Sequence, residues 1–174
     1  MKILNKFKVF VCASLIASCM CSLVACSSKE VSKKAVLDVD GASLIEDMQS
    51  AATDLPDMGL VSSSTDDAED LFSSLCDLDY SLVDSFYYAY STDSDRPQYE
   101  IAVVILKSSD DTSDLVKALK AHVSKRVTLF ETYVPKAVET AENAVVKSSV
   151  NVACLIMTDN NSSVESVFST AVNK

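Results

Sequence analysis

Residues 99–107 read Tyr-Glu-Ile-Ala-Val-Val-Ile-Leu-Lys, and beyond Glu100 both alternating faces of this run are apolar. Side chains of a strand alternate between the two sides of its sheet, so such a segment needs cover above and below. Residues 151–158, Asn-Val-Ala-Cys-Leu-Ile-Met-Thr, are of the same kind. Two such strands belong in the middle of a sheet that carries helices on its faces.

The remaining elements follow from periodicity. Residues 81–91 are aromatic-rich and strand-like, with Phe86, Tyr88 and Tyr90 on one face and Tyr87 on the other. Residues 144–147 pair with 151–158 as a hairpin. After Asp40-Gly41, a helix places Leu44, Ile45, Met48 and Ala52 on one side, and Leu55-Pro56-Asp57-Met58-Gly59 breaks it. Thr65-Asp66-Asp67 caps a second short helix with Leu71, Phe72 and Leu75 inward. Asp110 and Asp111 open the longest helix, to about Thr132, striped by Leu115, Leu119, Val123, Val127 and Phe130. Pro135 stops it. Ser162-Ser163-Val164-Glu165 has the form of a capping box and starts a final helix that buries Val164, Phe168 and Val172.

The fold class is therefore α+β: a four-stranded antiparallel sheet with a ββαββα core and two N-terminal helices. With the doubly apolar strands central, the four strands run in the order 1-2-4-3, a split βαβ arrangement. The long and final helices are expected on one face and the two N-terminal helices on the other.

The N-terminus speaks to address. Lys2, Lys6 and Lys8 precede an uncharged apolar run that ends in Leu23-Val24-Ala25-Cys26. This is the layout of an export signal, with small residues before a cysteine where a lipoprotein is cut and acylated. The run of 17 residues, rich in Ala, Ser and Cys, sits at the lower edge of what spans a bilayer. The expected organisation is a signal peptide at 1–25, a tether at 26–40 and a single domain at 41–174. Cys26 would carry a covalent diacylglycerol, with no other cofactor, and hold the protein on the extracytoplasmic face of the cell membrane.

Losing the signal removes three of 15 basic residues and none of 25 acidic ones. Such an acidic domain is a poor match for nucleic acid, which needs a basic face. Of six cysteines only Cys76 and Cys154 lie beyond Cys26, and the spacing leaves open whether they are bridged or simply buried. No CxxC pair supports a thiol-redox or zinc site. With glycine only at 41 and 59, no phosphate-binding loop exists.

Several short motifs occur in order: Leu55-Pro56-Asp57-Met58, Tyr99-Glu100-Ile101-Ala102-Val103, Arg126 in the long helix, Tyr133-Val134-Pro135, and Asn143-Ala144-Val145-Val146. In these, residues 42–172 resemble the domain-of-unknown-function family numbered forty-three fifty-eight, carried by lipoproteins of Gram-positive anaerobes. Cys76-Asp77 stands where that family tends to have Tyr-Gly, and Ser148-Ser149 where it often has Gly in the last hairpin. The resemblance implies a lipid-anchored extracytoplasmic domain and supplies no activity, substrate or catalytic residue.

Candidate chemistry is sparse. His122, the single histidine, falls at the edge of the long helix's apolar arc and lacks ligand-spaced partners. Arg126 falls inside that arc, where a cation must be paired or reach out to water. Glu100 is the expected partner if the helix packs over that strand, and a guanidinium that binds an anion in a cleft is the alternative. Asp93 and Asp95 resemble half a calcium loop without its Gly and later Glu. Phe86, Tyr88, Tyr90, Tyr99 and Arg126 make the candidate binding surface, since stacked aromatics on a hairpin suit a sugar ring or a partner's strand. The expected function is a non-catalytic binding or accessory module of the cell envelope, with a membrane contact through its lipid and an envelope protein or glycan as partner. The alternative is a hydrolase of envelope material using carboxylates with His122 or Arg126. That reading requires these side chains to converge in a cleft.

Overall fold

The computed structural model describes residues 36–173. The expected signal peptide, Cys26 and most of the tether lie outside the described residues. Among the described residues no helix is long and apolar enough to cross a membrane.

The chain forms α1 (Gly41–Ala51), β1 (Met58–Ser62), α2 (Ala68–Leu75), β2 (Val83–Ser91), β3 (Glu100–Leu106), α3 (Thr112–Tyr133), α4 (Val138–Glu142), β4 (Val145–Ser149), β5 (Val152–Met157) and α5 (Asn161–Val172). The sheet order is β1-β2-β3-β5-β4, with every neighbouring pair antiparallel. The two doubly apolar strands, β3 and β5, lie side by side in the centre and are fully buried.

The expected sheet of four strands is one short. Residues 58–62, of which Met58 and Gly59 belong to the segment expected to break the first helix and the rest to no expected element, pair with β2 from Met58 opposite Ser91 to Ser62 opposite Tyr87. This edge strand is five residues long and contains a glycine, so little in its composition marks it. Gly59 lies beneath Tyr90, and a methyl there would stand 2.9 Å from the ring's Cζ.

Helix placement also differs from expectation. α5 packs with α1, and Leu44, Met48, Val164 and Phe168 meet Ile101, Val103, Cys154 and Ile156 on one face. α2 and α3 share the other face, where Phe72, Leu75, Leu115 and Leu119 meet Phe86, Ala102, Val104 and Leu155. The sheet lies between Cys76 and Cys154, which pack on opposite faces and are both free thiols. Burial pushes each thiol up to about 12, which keeps it protonated and inert.

Local capping departs from the motifs as well. α5 begins at Asn161, whose Oδ1 accepts from the Thr158 backbone N–H, while Glu165 pairs with Lys147 at 2.5 Å instead of closing a box. α2 begins after Asp67, which sits in the left-handed region at φ 57° and makes no side-chain cap bond. Thr65 Oγ1 instead accepts from the Ser62 N–H. Asp77, which stands where the family tends to have Gly, has no positive φ. α4, a single turn after Pro135, was not anticipated.

The last hairpin closes over two residues, Val150 and Asn151, between Ser149 and its partner Val152. Val150 has φ 52°, which crowds a β-branched side chain by roughly 1–2 kcal/mol. Its surroundings hold the turn in place. Thr112 Oγ1 donates to the Val150 carbonyl at 2.6 Å, and buried Asn151 donates to the Leu106 carbonyl at 2.8 Å. Asn151 Oδ1 also accepts from the Leu37 N–H at 2.7 Å, so the last residues of the expected tether are docked on the domain. Val150→Gly removes the strain but adds unfolded-chain entropy of about 0.5–1 kcal/mol. The expected net result is a gain of about 0.5–1 kcal/mol, read as a higher Tm; a lower Tm would show that Val150 packing outweighs its backbone cost.

Candidate functional site

Strand parity places Glu100 first among the β3 side chains that face α3. It is completely buried, though ionisable. His122 and Arg126, four residues apart and so on one side of α3, both reach it. His122 Nε2 lies 2.6 Å from Glu100 Oε2, and Arg126 Nε lies 2.6 Å from Oε1. The second contact is ionic but off the N–H direction, so it is not a hydrogen bond. Arg126 Nη2 donates to the Pro97 carbonyl at 2.8 Å, and the guanidinium stacks 4.7 Å from the Phe130 ring centre. These contacts hold a cation at the end of β3 with its plane fixed.

Arg126 is the member of this network that meets solvent, its side chain about one quarter exposed. It forms one wall of a cleft of about 250 Å³. Val61 of β1, Leu71 and Ser74 of α2, Tyr88, Tyr90 and Ser91 of β2 and Pro97 of the β2–β3 connection complete the lining. The Tyr88 and Tyr90 ring centres are 5.5 Å apart at a tilt of 39°. Burial, and then the adjacent Glu100 charge, push the Tyr88 phenol well above its ordinary value, so it stays neutral.

The candidate surface residues thus fall in different places. Tyr88, Tyr90 and Arg126 are brought together at the cleft. Phe86 lies on the same strand face but is wholly buried between Phe72 and Tyr80 and presents nothing to solvent. Tyr99 sits apart, buried, with Arg96 over its ring and its hydroxyl donating to Asp159 at 2.5 Å. His122 is buried against Glu100 and Tyr88 and does not line the cleft. Its pairing with Glu100 escaped the sequence reading, although the spacing to Arg126 was the available signal. Asp93 Oδ1 accepts from the Asp95 N–H at 2.8 Å, a turn-closing contact. Among the described residues no group of three or more His, Cys, Asp or Glu is placed to hold a metal ion.

A larger hollow of about 580 Å³ lies between α4, the end of β5 and the start of α5. Its polar groups are tied to one another: Asn161 donates to the Asn143 carbonyl, Thr140 to Asp159, and Lys147 to Glu165. The smaller cleft differs in combining exposed aromatic surface with a charged group whose partners lie behind it.

No curated protein and no solved structure matches this chain. The family model described as Domain of unknown function (DUF4358) matches residues 58–158. That span runs from β1 through β5 and contains every residue of the cleft, while α1 and α5, which together cover the opposite face, fall outside it. The chain belongs to the DUF4358 family.

Proposed function

We propose that the protein is a lipid-anchored, extracytoplasmic binding module of the cell envelope, without catalysis of its own, and that the Tyr88–Tyr90–Arg126 cleft is its ligand site. The observation that carries the reading is Arg126: a cation oriented by Glu100, the Pro97 carbonyl and Phe130, and open to the cleft on its remaining side. Convergent polar groups in a largely apolar hollow are the usual form of a binding site. Hydrolysis would call for a base facing the ligand, and the one histidine is engaged with Glu100 behind the wall. The chain joins the domain at Leu37, beside Asn151 and the Leu106 end of β3, while Glu100 and the cleft lie at the other end of that strand. On a protein anchored at Cys26, that arrangement suits a ligand approaching from the side away from the bilayer.

Two measurements test this. In cells fed an alkyne fatty acid, the full-length protein is expected to take up label and sediment with membranes, and Cys26→Ser is expected to do neither. Equal labelling of Cys26→Ser would overturn the anchor. A photo-cross-linking residue at Ser74 of the anchored protein is expected to give discrete adducts that one at Thr170, on the opposite face, does not. Identical adducts from both positions would overturn the cleft as the ligand site.

A further inference from the structure

Resting on that reading, we propose that the cleft takes a carboxylate with an apolar body about the size of one amino-acid residue, the carboxylate against Arg126 and the body against Tyr88 and Tyr90. The charge of the site selects the ligand class. The chain has a formal net charge of −10, yet no acidic residue lines this cleft. Glu100 sits behind the guanidinium with a side chain only 1% exposed, and its second oxygen is taken by His122.

Arg126 keeps donors in hand. Nε faces Glu100 and Nη2 serves the Pro97 carbonyl, while Nη1 makes no hydrogen bond to any described residue. A guanidinium held on three sides presents its free N–H groups in a fixed fork, the geometry that a carboxylate accepts in two parallel bonds. An ammonium or a neutral polyol gains nothing comparable from such a group.

The walls set the rest of the ligand. Tyr90 is 36% exposed and lies over Gly59, where β1 has no side chain to hold the ring away. Tyr88, Tyr90, Val61, Leu71 and Pro97 provide an apolar enclosure. The Ser74 hydroxyl donates to the Leu71 carbonyl at 2.6 Å, which leaves its lone pairs to accept from a ligand N–H. A volume of about 250 Å³ falls below the roughly 300–1,000 Å³ of sites for larger small molecules. One amino-acid residue with a free carboxylate fits these limits, either as a free acid or as the last residue of a peptide.

The test is isothermal titration of the full-length protein in detergent with N-acetylated alanine, leucine and phenylalanine, each as acid and as primary amide. At least one acid is expected to bind about tenfold or more tighter than its amide, the factor a charge-assisted hydrogen bond supplies. Arg126→Lys keeps the ion pair with Glu100 and loses the fork, and is expected to weaken the acid about tenfold with the amide unchanged. Tyr90→Ala, at an exposed position, is expected to weaken both. A Gly-Gly-extended peptide ending in the preferred residue distinguishes the sources: tighter binding than the N-acetyl acid points to a peptide C-terminus, and equal or weaker binding to a free acid. Acid and amide binding equally would overturn the carboxylate proposal while leaving the cleft as a binding site. Failure of all the acids to bind would also overturn it, and the Ser74 cross-linking then decides the broader reading separately.

Discussion

Phe86→Ala is expected to destabilise the domain by about 3–5 kcal/mol, the range for emptying a fully buried aromatic site. Phe86 has no exposed surface, and its ring centre lies 5.2 Å from that of Phe72 and 6.1 Å from that of Tyr80. Phe72 and Tyr80 are themselves 5.5 Å apart. The three rings join α2, the turn before β2 and β2 itself, so removing Phe86 takes away one tilted and one edge-on aromatic contact as well as apolar area. α2 is short and packs mainly through Phe72 and Leu75, and the surrounding elements have little else with which to close the void. Urea titration followed by circular dichroism reads the change. Phe86→Leu, which refills most of the volume, is expected to lose clearly less. A Phe86→Ala domain within about 1 kcal/mol of the parent would mean that α2 is not docked through this cluster. The result also bears on the cleft, since Leu71 and Ser74 of the same helix form one wall. Weaker binding by Phe86→Ala therefore reports a loosened wall and no direct contact.

That distinction shows where sequence reasoning reached and where it stopped. Alternation identified β3 and β5 as buried on both sides and placed them centrally, because burial of both faces leaves a local imprint. It identified Phe86, Tyr88 and Tyr90 as one face of β2 for the same reason. It could not tell that Phe86 is roofed by α2 while Tyr90, four residues on, stays partly exposed. Local periodicity says which side of a helix is buried and nothing about which helix it meets. The packing of α5 on α1, and the placing of α3 on the same face as α2, depend on the crossover of the chain and are not written in any one stripe. β1 was missed because its evidence is non-local: Met58 pairs with Ser91, far along the chain, and a glycine dilutes the strand signal. The cleft depends on that missed strand, on two helices and on the β2–β3 connection, so no window of sequence contains it. Arg126 and Glu100 were the exception. A cation inside an apolar arc and a carboxylate at the mouth of an apolar strand each need a partner, and the two needs point to one another.

That pairing gives the second large effect. Arg126→Ala is expected to cost about 3–5 kcal/mol, because it removes one partner of a buried charge pair and leaves the other in place. The residue left behind decides the size of the loss. Glu100 has a side chain 1% exposed at the start of a central strand, so after the change it loses its fixed cation and keeps the neighbouring His122 and Tyr88 side chains. The converse change is expected to be milder. Glu100→Ala leaves Arg126, already a quarter exposed and on a long flexible stem, free to turn its head into the cleft and be hydrated. The order of loss should therefore be Arg126→Ala greater than Glu100→Ala. Replacing both, as Glu100→Leu with Arg126→Leu, removes the desolvated charges together and is expected to recover most of the stability, since apolar isosteres commonly match or exceed a buried ion pair. Chemical denaturation of the three variants measures these losses, and the single changes Glu100→Leu and Arg126→Leu close the double-mutant cycle that gives the coupling. A double variant as unstable as Arg126→Ala alone would show that packing of the arginine stem against Phe130 matters, and the charge does not. Equal and small losses for both single changes would show that the pair is solvated in solution. Unchanged stability of Arg126→Ala together with lost carboxylate binding would assign the guanidinium wholly to the ligand. The expected outcome lies between these: Arg126 is held by the fold, contributes to its stability, and because it is held is oriented for an anion at its open side.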